Sequence, residues 1–357
     1  MIRVLFAVGT IALFPLAAAR AQSDCAGMVP TDLSNTIQVA VPHVATQEYC
    51  SQATSDGSGN IAVRLDHSFS FRTWSVFGSD GSPQGSFSTD QGSALPLSSG
   101  FADTYFGNSQ TYFQTYNGDG SIASSTAVAG TGCNVVASPS SEGGAVTITA
   151  CATSTAAPHF ARWDEMGNLI GEAQIGYPGT DAVAVGDVNG NNLVVYFPGT
   201  SFGFGARTYV GVWYDDSGAA ISDVFYLATD AREFSHGPVV TRALIAGGAA
   251  VQIAGVWQAA SDSGVGAAHA PPQFLANHPD WDFAIIRGRQ AYALLSRGAS
   301  PTYYNHMPIY SAAGNRCGAV DYPEVSSLYV GADGSVIGAS KADACNDTVW
   351  PALLSAP

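Results

Sequence analysis

The stretch Arg162-Trp163-Asp164-Glu165-Met166-Gly167-Asn168-Leu169-Ile170-Gly171 reads as a strand, a tight turn and a returning strand. Asp caps such a turn and Gly supplies the positive φ that reverses the chain. Variants of it recur. The nearest is Val212-Trp213-Tyr214-Asp215-Asp216-Ser217-Gly218-Ala219-Ala220-Ile221-Ser222, and looser copies surround Gly81, Gly120 and Gly334. The turn glycines are nearly evenly spaced up to Gly218, whereas the step to Gly334 is about two units long, so one hairpin is hidden inside it. Phe283 to Leu295 is the candidate for that hairpin.

Working outward, apolar residues alternate in short runs bounded by Gly, Asp, Asn and Ser clusters, the pattern of an all-β chain. Each turn also has an upstream pair of strands, clearest at Ala182 to Val185 and Leu193 to Tyr196, followed by Tyr209 to Trp213 and Ile221 to Phe225. Four antiparallel strands in roughly fifty residues, repeated, resemble the blades of β-propeller proteins. The expected fold is therefore a single six-bladed propeller from Thr36 to Ala342. Seven blades is the alternative, because Ile309 to Asn315 also reads as a hairpin of this type.

Residues 1–21 read as a secretory signal: Arg3, an apolar run from Val4 to Ala19, and the small-x-small site Ala19-Arg20-Ala21. The mature domain is then 22–357, secreted or periplasmic. Six cysteines in an exported chain suggest three disulfides. Folding Cys133 to Cys151 as a hairpin about Glu142 puts those two cysteines opposite each other. By elimination, Cys25 pairs with Cys50 and Cys317 with Cys345. Only 11% of residues are charged and the net charge is -15, so nucleic acid and anionic membranes, which need basic patches, are not expected partners.

Gly186-Asp187-Val188-Asn189-Gly190-Asn191-Asn192 resembles the hairpin loop of FG-GAP repeats, the calcium-loop propeller repeats of integrin α chains. The resemblance covers about a dozen residues of one blade. Where that family carries further carboxylates, Asn191 and Val195 stand here, and the expectation is an Asx-rich turn rather than a calcium site.

In a propeller blade the first-to-second and third-to-fourth turns share one face, where the Asp-Gly turns are expected to serve as scaffold. The opposite face collects the longer connections: 64–72, 106–111, 152–159, 197–208, 228–238, 258–281 and 297–308. His67, His159, His236, His269, His278 and His306, six of the seven histidines, fall in them. The longest, 258–281, reads as a lid or wall over the channel. A divalent metal held by imidazoles and carboxylates from separate blades is possible there, although no H-x-H or H-E-x-x-H pair exists. The nucleophile-elbow pattern Gly199-Thr200-Ser201-Phe202-Gly203 lacks its following helix, so Ser201 reads as a loop serine.

The densest polar run is Asp230-Ala231-Arg232-Glu233-Phe234-Ser235-His236. A catalytic centre would use His236 oriented by Glu233 or Asp230, with Arg232 holding an anionic group. For ligand binding, the expected residues are Tyr303, Tyr304, Asn305, His306, Arg297, Trp281, His278, His67 and His159. Aromatic faces would pack on sugars while amide and guanidinium groups fix hydroxyls. The expected function is binding of an extracellular ligand, a glycan or other polymer, on the loop-rich face. The alternative is a hydrolase or lyase using the His/Asp/Glu/Arg centre, metal-assisted or not.

Overall fold

The computed structural model describes residues 25–44, 48–67, 72–89, 94–107, 109–129, 134–150, 157–175, 180–199, 205–232, 237–262, 268–286, 289–296 and 305–355. The signal segment expected at 1–21 lies outside them.

The chain is all-β and forms seven four-stranded antiparallel sheets. Blade 1 contains β2 (Glu48–Ser55), β3 (Ile61–His67), β4 (Arg72–Phe77) and β5 (Pro83–Thr89). Blade 2 contains β6 (Leu95–Pro96), β7 (Phe101–Gly107), β8 (Gln110–Tyr116) and β9 (Ile122–Ala127). Blade 3 contains β10 (Asn134–Pro139), β11 (Ala145–Ala150), β12 (His159–Trp163) and β13 (Leu169–Gln174). Blade 4 contains β14 (Thr180–Gly186), β15 (Asn191–Phe197), β16 (Arg207–Asp215) and β17 (Phe225–Asp230). Blade 5 contains β18 (Val240–Ala243), β19 (Ala249–Ile253), β20 (Val256–Ala260) and β21 (Ala268–His269). Blade 6 contains β22 (Trp281–Ile286), β23 (Ala291–Ser296), β24 (His306–Ser311) and β25 (Arg316–Asp321). Blade 7 takes β26 (Val325–Val330), β27 (Val336–Ser340) and β28 (Asn346–Trp350) from the C-terminal end, and β1 (Ile37–Ala40) from the N-terminal end as its outer strand. Ile37 stands opposite Val349 and Ala40 opposite Asn346. The first strands of blades 7, 1, 2, 3, 4 and 5 pack on one another in turn, which places them innermost.

Seven blades, not six, is therefore the architecture. The blade that the Asp-Gly spacing passes over is blade 5. Its first turn is Leu244-Ile245-Ala246-Gly247-Gly248, with neither Asp nor an aromatic, and its outer strand is only two residues long. The two hairpins at Phe283 to Leu295 and Ile309 to Asn315 both belong to blade 6, as its first and second halves. The segment 258–281 is not a lid as far as it is described. It contains the end of β20, the short β21 and the helix α1 (Gln273–Asn277), which buries Phe274 and Leu275 among Trp257, Phe283, Tyr292 and Tyr310 of blades 5 and 6.

Large side chains fill the seams between blades. Trp74, Trp163, Trp213 and Trp257 are buried on the third strands of four blades. Trp163 stacks on Phe113 of blade 2 at 4.9 Å and donates its indole N–H to Thr147 Oγ1 at 2.9 Å. Its neighbour Arg162 is also buried: it donates to the Gly143 carbonyl at 2.8 Å and reaches Asp216 of blade 4 at 3.1 Å. Gly167 has φ +79°, as the turn requires, and Asp164 Oδ1 accepts the N–H groups of Met166 and Asn168 at 2.8 Å each.

The disulfides correct the expectation drawn from proximity along the chain. Cys25 is bonded to Cys317 and Cys50 to Cys345, with sequence separations of 292 and 295. A closed ring brings the chain ends together, so each N-terminal cysteine finds a C-terminal partner. Cys133 and Cys151 lie outside the described residues; the strands leading to them pair with Asn134 opposite Ala150.

Candidate functional site: the loop-rich face

On the turn face, carboxylates hold blades together. Asp56 Oδ1 accepts the N–H of Ser58 and Asn60 within its own turn, and its Oδ2 accepts the N–H of Gly100 in blade 2 at 2.6 Å. Glu165 of blade 3 accepts Gly144 N–H at 2.9 Å and Ser98 N–H of blade 2 at 2.8 Å. Asp187 of blade 4 accepts Gly248 N–H of blade 5 at 3.1 Å, and Asp333 of blade 7 accepts the Ser55 hydroxyl of blade 1 at 2.5 Å. These side chains cap a turn and bridge a seam at once. Asp187 is thus an Asx-turn residue, with Asn189 and Asn191 N–H on its Oδ1 at 2.8 and 2.9 Å.

On the opposite face, ionisable side chains pair locally. His67 Nδ1 lies 2.8 Å from Glu48, and its Nε2 is 3.3 Å from Thr73 Oγ1, all within blade 1. Arg64 and Arg72 share the buried Asp66 at 3.1 and 3.7 Å. His159 Nε2 lies 3.4 Å from Glu172 between the outer two strands of blade 3, while its Nδ1 is buried with no hydrogen-bond partner. His306 Nδ1 lies 2.7 Å from Asp321 between the outer two strands of blade 6. His278 packs against Trp281, ring centroids 5.1 Å apart, after α1. Burial first, and the Arg316 charge second, hold its imidazole below the usual pKa. The Asn305 carbonyl accepts Tyr322 N–H at 2.8 Å.

The described residues include only part of the expected catalytic run. Arg232 folds back on Asp230, its Nε at 2.8 Å and Nη2 at 2.5 Å, and Asp230 is buried. That hydrogen bond raises the Arg232 pKa further. The pair explains its own conformation, with the guanidinium facing a carboxylate two residues upstream. Glu233, His236, Arg297, Tyr303, Tyr304, Ser201 and Phe202 lie outside the described residues, as does the side chain of His269.

His67, His159, His278 and His306 therefore sit on blades 1, 3 and 6 and on the link between blades 5 and 6, with no described metal-ligand grouping among them. Among the described residues one trio has ligand atoms within 4.8 Å of one another: His43, Asp343 and Cys345. Cys345 sulfur is bonded to Cys50, which leaves two ligands, too few to retain a divalent metal.

Exposed aromatics absent from the expected set stand on this face. Tyr49 at the start of β2 is 60% exposed, and Phe106 and Tyr105 at the end of β7 are 50% and 38% exposed. Tyr112 stands opposite Tyr105 across β7 and β8. A Cβ on Gly107 would meet the Tyr105 ring at 2.5 Å, so the glycine lets that ring lie over the strand end. Two consecutive aromatics ahead of Gly107 carried the signal: side chains alternate along a strand, so one of the two must point away from whatever the other packs on.

The fold and this face define a class, a seven-bladed β-propeller. No family profile matches the chain, and no curated protein does. Solved structures that it resembles include BBS1N crystallised with ARL6DN, at 10% identity, TM-score 0.41, covering 88% of this chain and 96% of that one. Prolyl oligopeptidase B from Galerina marginata is similar at 11% identity and TM-score 0.45 over 84% of this chain; the match spans 48% of that protein. A eukaryotic initiation factor matches at 10% identity and TM-score 0.39 over 89% of each chain.

Proposed function

We propose that this chain is an exported propeller that binds an extracellular glycan or other polymer on its loop-rich face. The observation that carries the reading is the exposure of Tyr49 in blade 1 and of Tyr105 and Phe106 in blade 2, all at strand ends on that face. Exposed rings cost free energy in water, and the flat face of an aromatic ring suits the apolar face of a sugar ring. His67, His159 and His306 stand on three different blades, each beside a carboxylate of its own blade, and this scatter favours binding over a shared hydrolase or lyase centre among the described residues. Two disulfides accord with an oxidising compartment.

The test is a polysaccharide and oligosaccharide binding screen on the purified protein, repeated with Tyr49→Ala and Phe106→Ala. Binding that falls about tenfold or more in either variant is expected, since an interface aromatic contributes on the order of 1–2 kcal/mol or more. No glycan affinity, or affinity indifferent to both substitutions, would remove the basis of the reading. Release of shortened glycan would favour the enzymatic alternative.

A further inference from the structure

The turn face contains one departure from its own rule. Asp56 and Asp187 occupy equivalent first turns, in blades 1 and 4, and each accepts two amides of its own turn and one from the next blade. Only Asp187 meets a second carboxyl. Asp262, at the end of the third strand of blade 5, is in hydrogen-bond contact with it. Asp262 Oδ2 also accepts the side-chain amides of Asn189 at 2.6 Å and Asn191 at 3.4 Å.

Two carboxylates in contact do not both stay ionised; either a proton or a cation must sit between them. Burial of Asp187, and then the contact with Asp262, raise its pKa to about 6 even though three backbone amides favour its anion. Asp262 moves the other way: burial opposes its charge, but the amide of Asn189 and the hydroxyl of Asp187 outweigh that and lower it. The pair therefore holds one proton between its two carboxyls.

Among the described residues, the groups facing the pair include no free cation. From blade 3, Glu142 approaches Gly190, where an added Cβ would lie 3.0 Å from its carboxylate. Asp216 is tied to Asn192 at 3.0 Å and to Arg162 at 3.1 Å, so that guanidinium is already engaged. From blade 5 the turn at Gly247 and Gly248 presents backbone only. Residues 263–267, which follow Asp262, are Ser-Gly-Val-Gly-Ala and contain no titratable side chain.

We propose that Asp187 and Asp262 form a proton-shared latch between blades 4 and 5, closed in acid and released toward neutral pH. Because the folded pKa of Asp187 lies above its unfolded value, the contribution is complete below about pH 4 and is lost as pH rises through about 6. Above that range two adjoining anions repel across the seam, and the Gly248 N–H loses its bond.

Hydrogen exchange of backbone amides tests this, with the blade 1 turn as an internal control. After correction for the intrinsic pH dependence of exchange, protection of the Asn189, Asn191 and Gly248 amides should fall roughly tenfold between pH 5 and 8, because a folded pKa of about 6 leaves about one unit of the displacement above pH 5. Protection of Ser58, Asn60 and Gly100 around Asp56 should not. In Asp262→Asn the fall should vanish, since an amide can donate to an ionised Asp187. Equal behaviour of the two turns in the unaltered protein would overturn the proposal, whether or not the variant folds. So would restoration of protection at pH 8 by millimolar Ca2+, which would make the seam a cation site.

Discussion

Replacing Asp347 with Asn should stabilise the protein at neutral pH. Asp347 lies on β28 between Cys345 and Val349, and residues two apart share a face of a strand. Those two neighbours belong to the core between blades 7 and 1, with Cys50, Ala53, Ile61, Val63 and Leu65. The Asp347 carboxyl is buried and neither oxygen has a hydrogen-bond partner. Burial, and then the charge of Asp343, raise its pKa from 3.8 to about 7. That displacement corresponds to about 4 kcal/mol of destabilisation once the group is ionised in the unfolded chain. The sign follows from the raised folded pKa: below about pH 4 the group is protonated in both states and costs nothing. The cost grows as pH rises toward 7 and is constant above it. Asn has the shape and neutrality of the protonated acid, so Asp347→Asn should match the parent at pH 4 and exceed it at pH 8. At roughly 2 °C per kcal/mol, the gain is about 8 °C in Tm. Calorimetry at five pH values from 4 to 8 measures it. Parallel Tm curves for the two proteins would refute the argument, because an Asp347 with an ordinary pKa gives no pH-dependent difference.

The seam carboxylates and bridges make further predictions. Asp56→Ala removes the acceptor of four N–H bonds, from Ser58, Asn60 backbone, Asn60 side chain and Gly100, and should cost about 3 kcal/mol in urea unfolding. A loss under about 1 kcal/mol would mean that water replaces these bonds at no penalty. With Cys25–Cys317 still closed, the double variant Cys50→Ser, Cys345→Ser frees only the loop formed by 25–50 and 317–345, about 50 residues, and on chain-entropy grounds should lose about 4 kcal/mol. Unchanged denaturant midpoints for oxidised parent and variant would show that ring packing alone fixes the chain ends.

Much of the architecture is legible in residues whose local chemistry is unambiguous. Gly81, Gly120, Gly167 and Gly218 all terminate the third-to-fourth turn of a blade, and their spacing marks four of the seven units. The count fails at two positions for physical reasons. In blade 5 the third-to-fourth connection carries Asp262, but the strand aromatic, Trp257, stands five residues before it instead of three or fewer as in blades 1 to 4, so the signature is missing. Gly334 belongs to a first-to-second turn, so it measures a different interval from the others. The partners of His67, His159 and His306 are hidden for a related reason: Glu48, Glu172 and Asp321 become neighbours only through strand register. Tyr49 escaped notice because its exposure depends on its position at the mouth of an innermost strand, which no local pattern encodes.

The outer strand of blade 7 comes from the opposite end of the chain, and this imposes an order of events on folding. A chain emerging N-terminus first presents Cys25 and Cys50 together long before Cys317 and Cys345 exist. Oxidation at that stage joins the early pair, which is a bridge absent from the folded ring. The nascent protein must therefore stay reduced, or have its thiols reshuffled, until its last blade arrives. Yield from oxidative refolding should accordingly depend on the presence of a disulfide-exchanging catalyst more than on the rate of strand pairing.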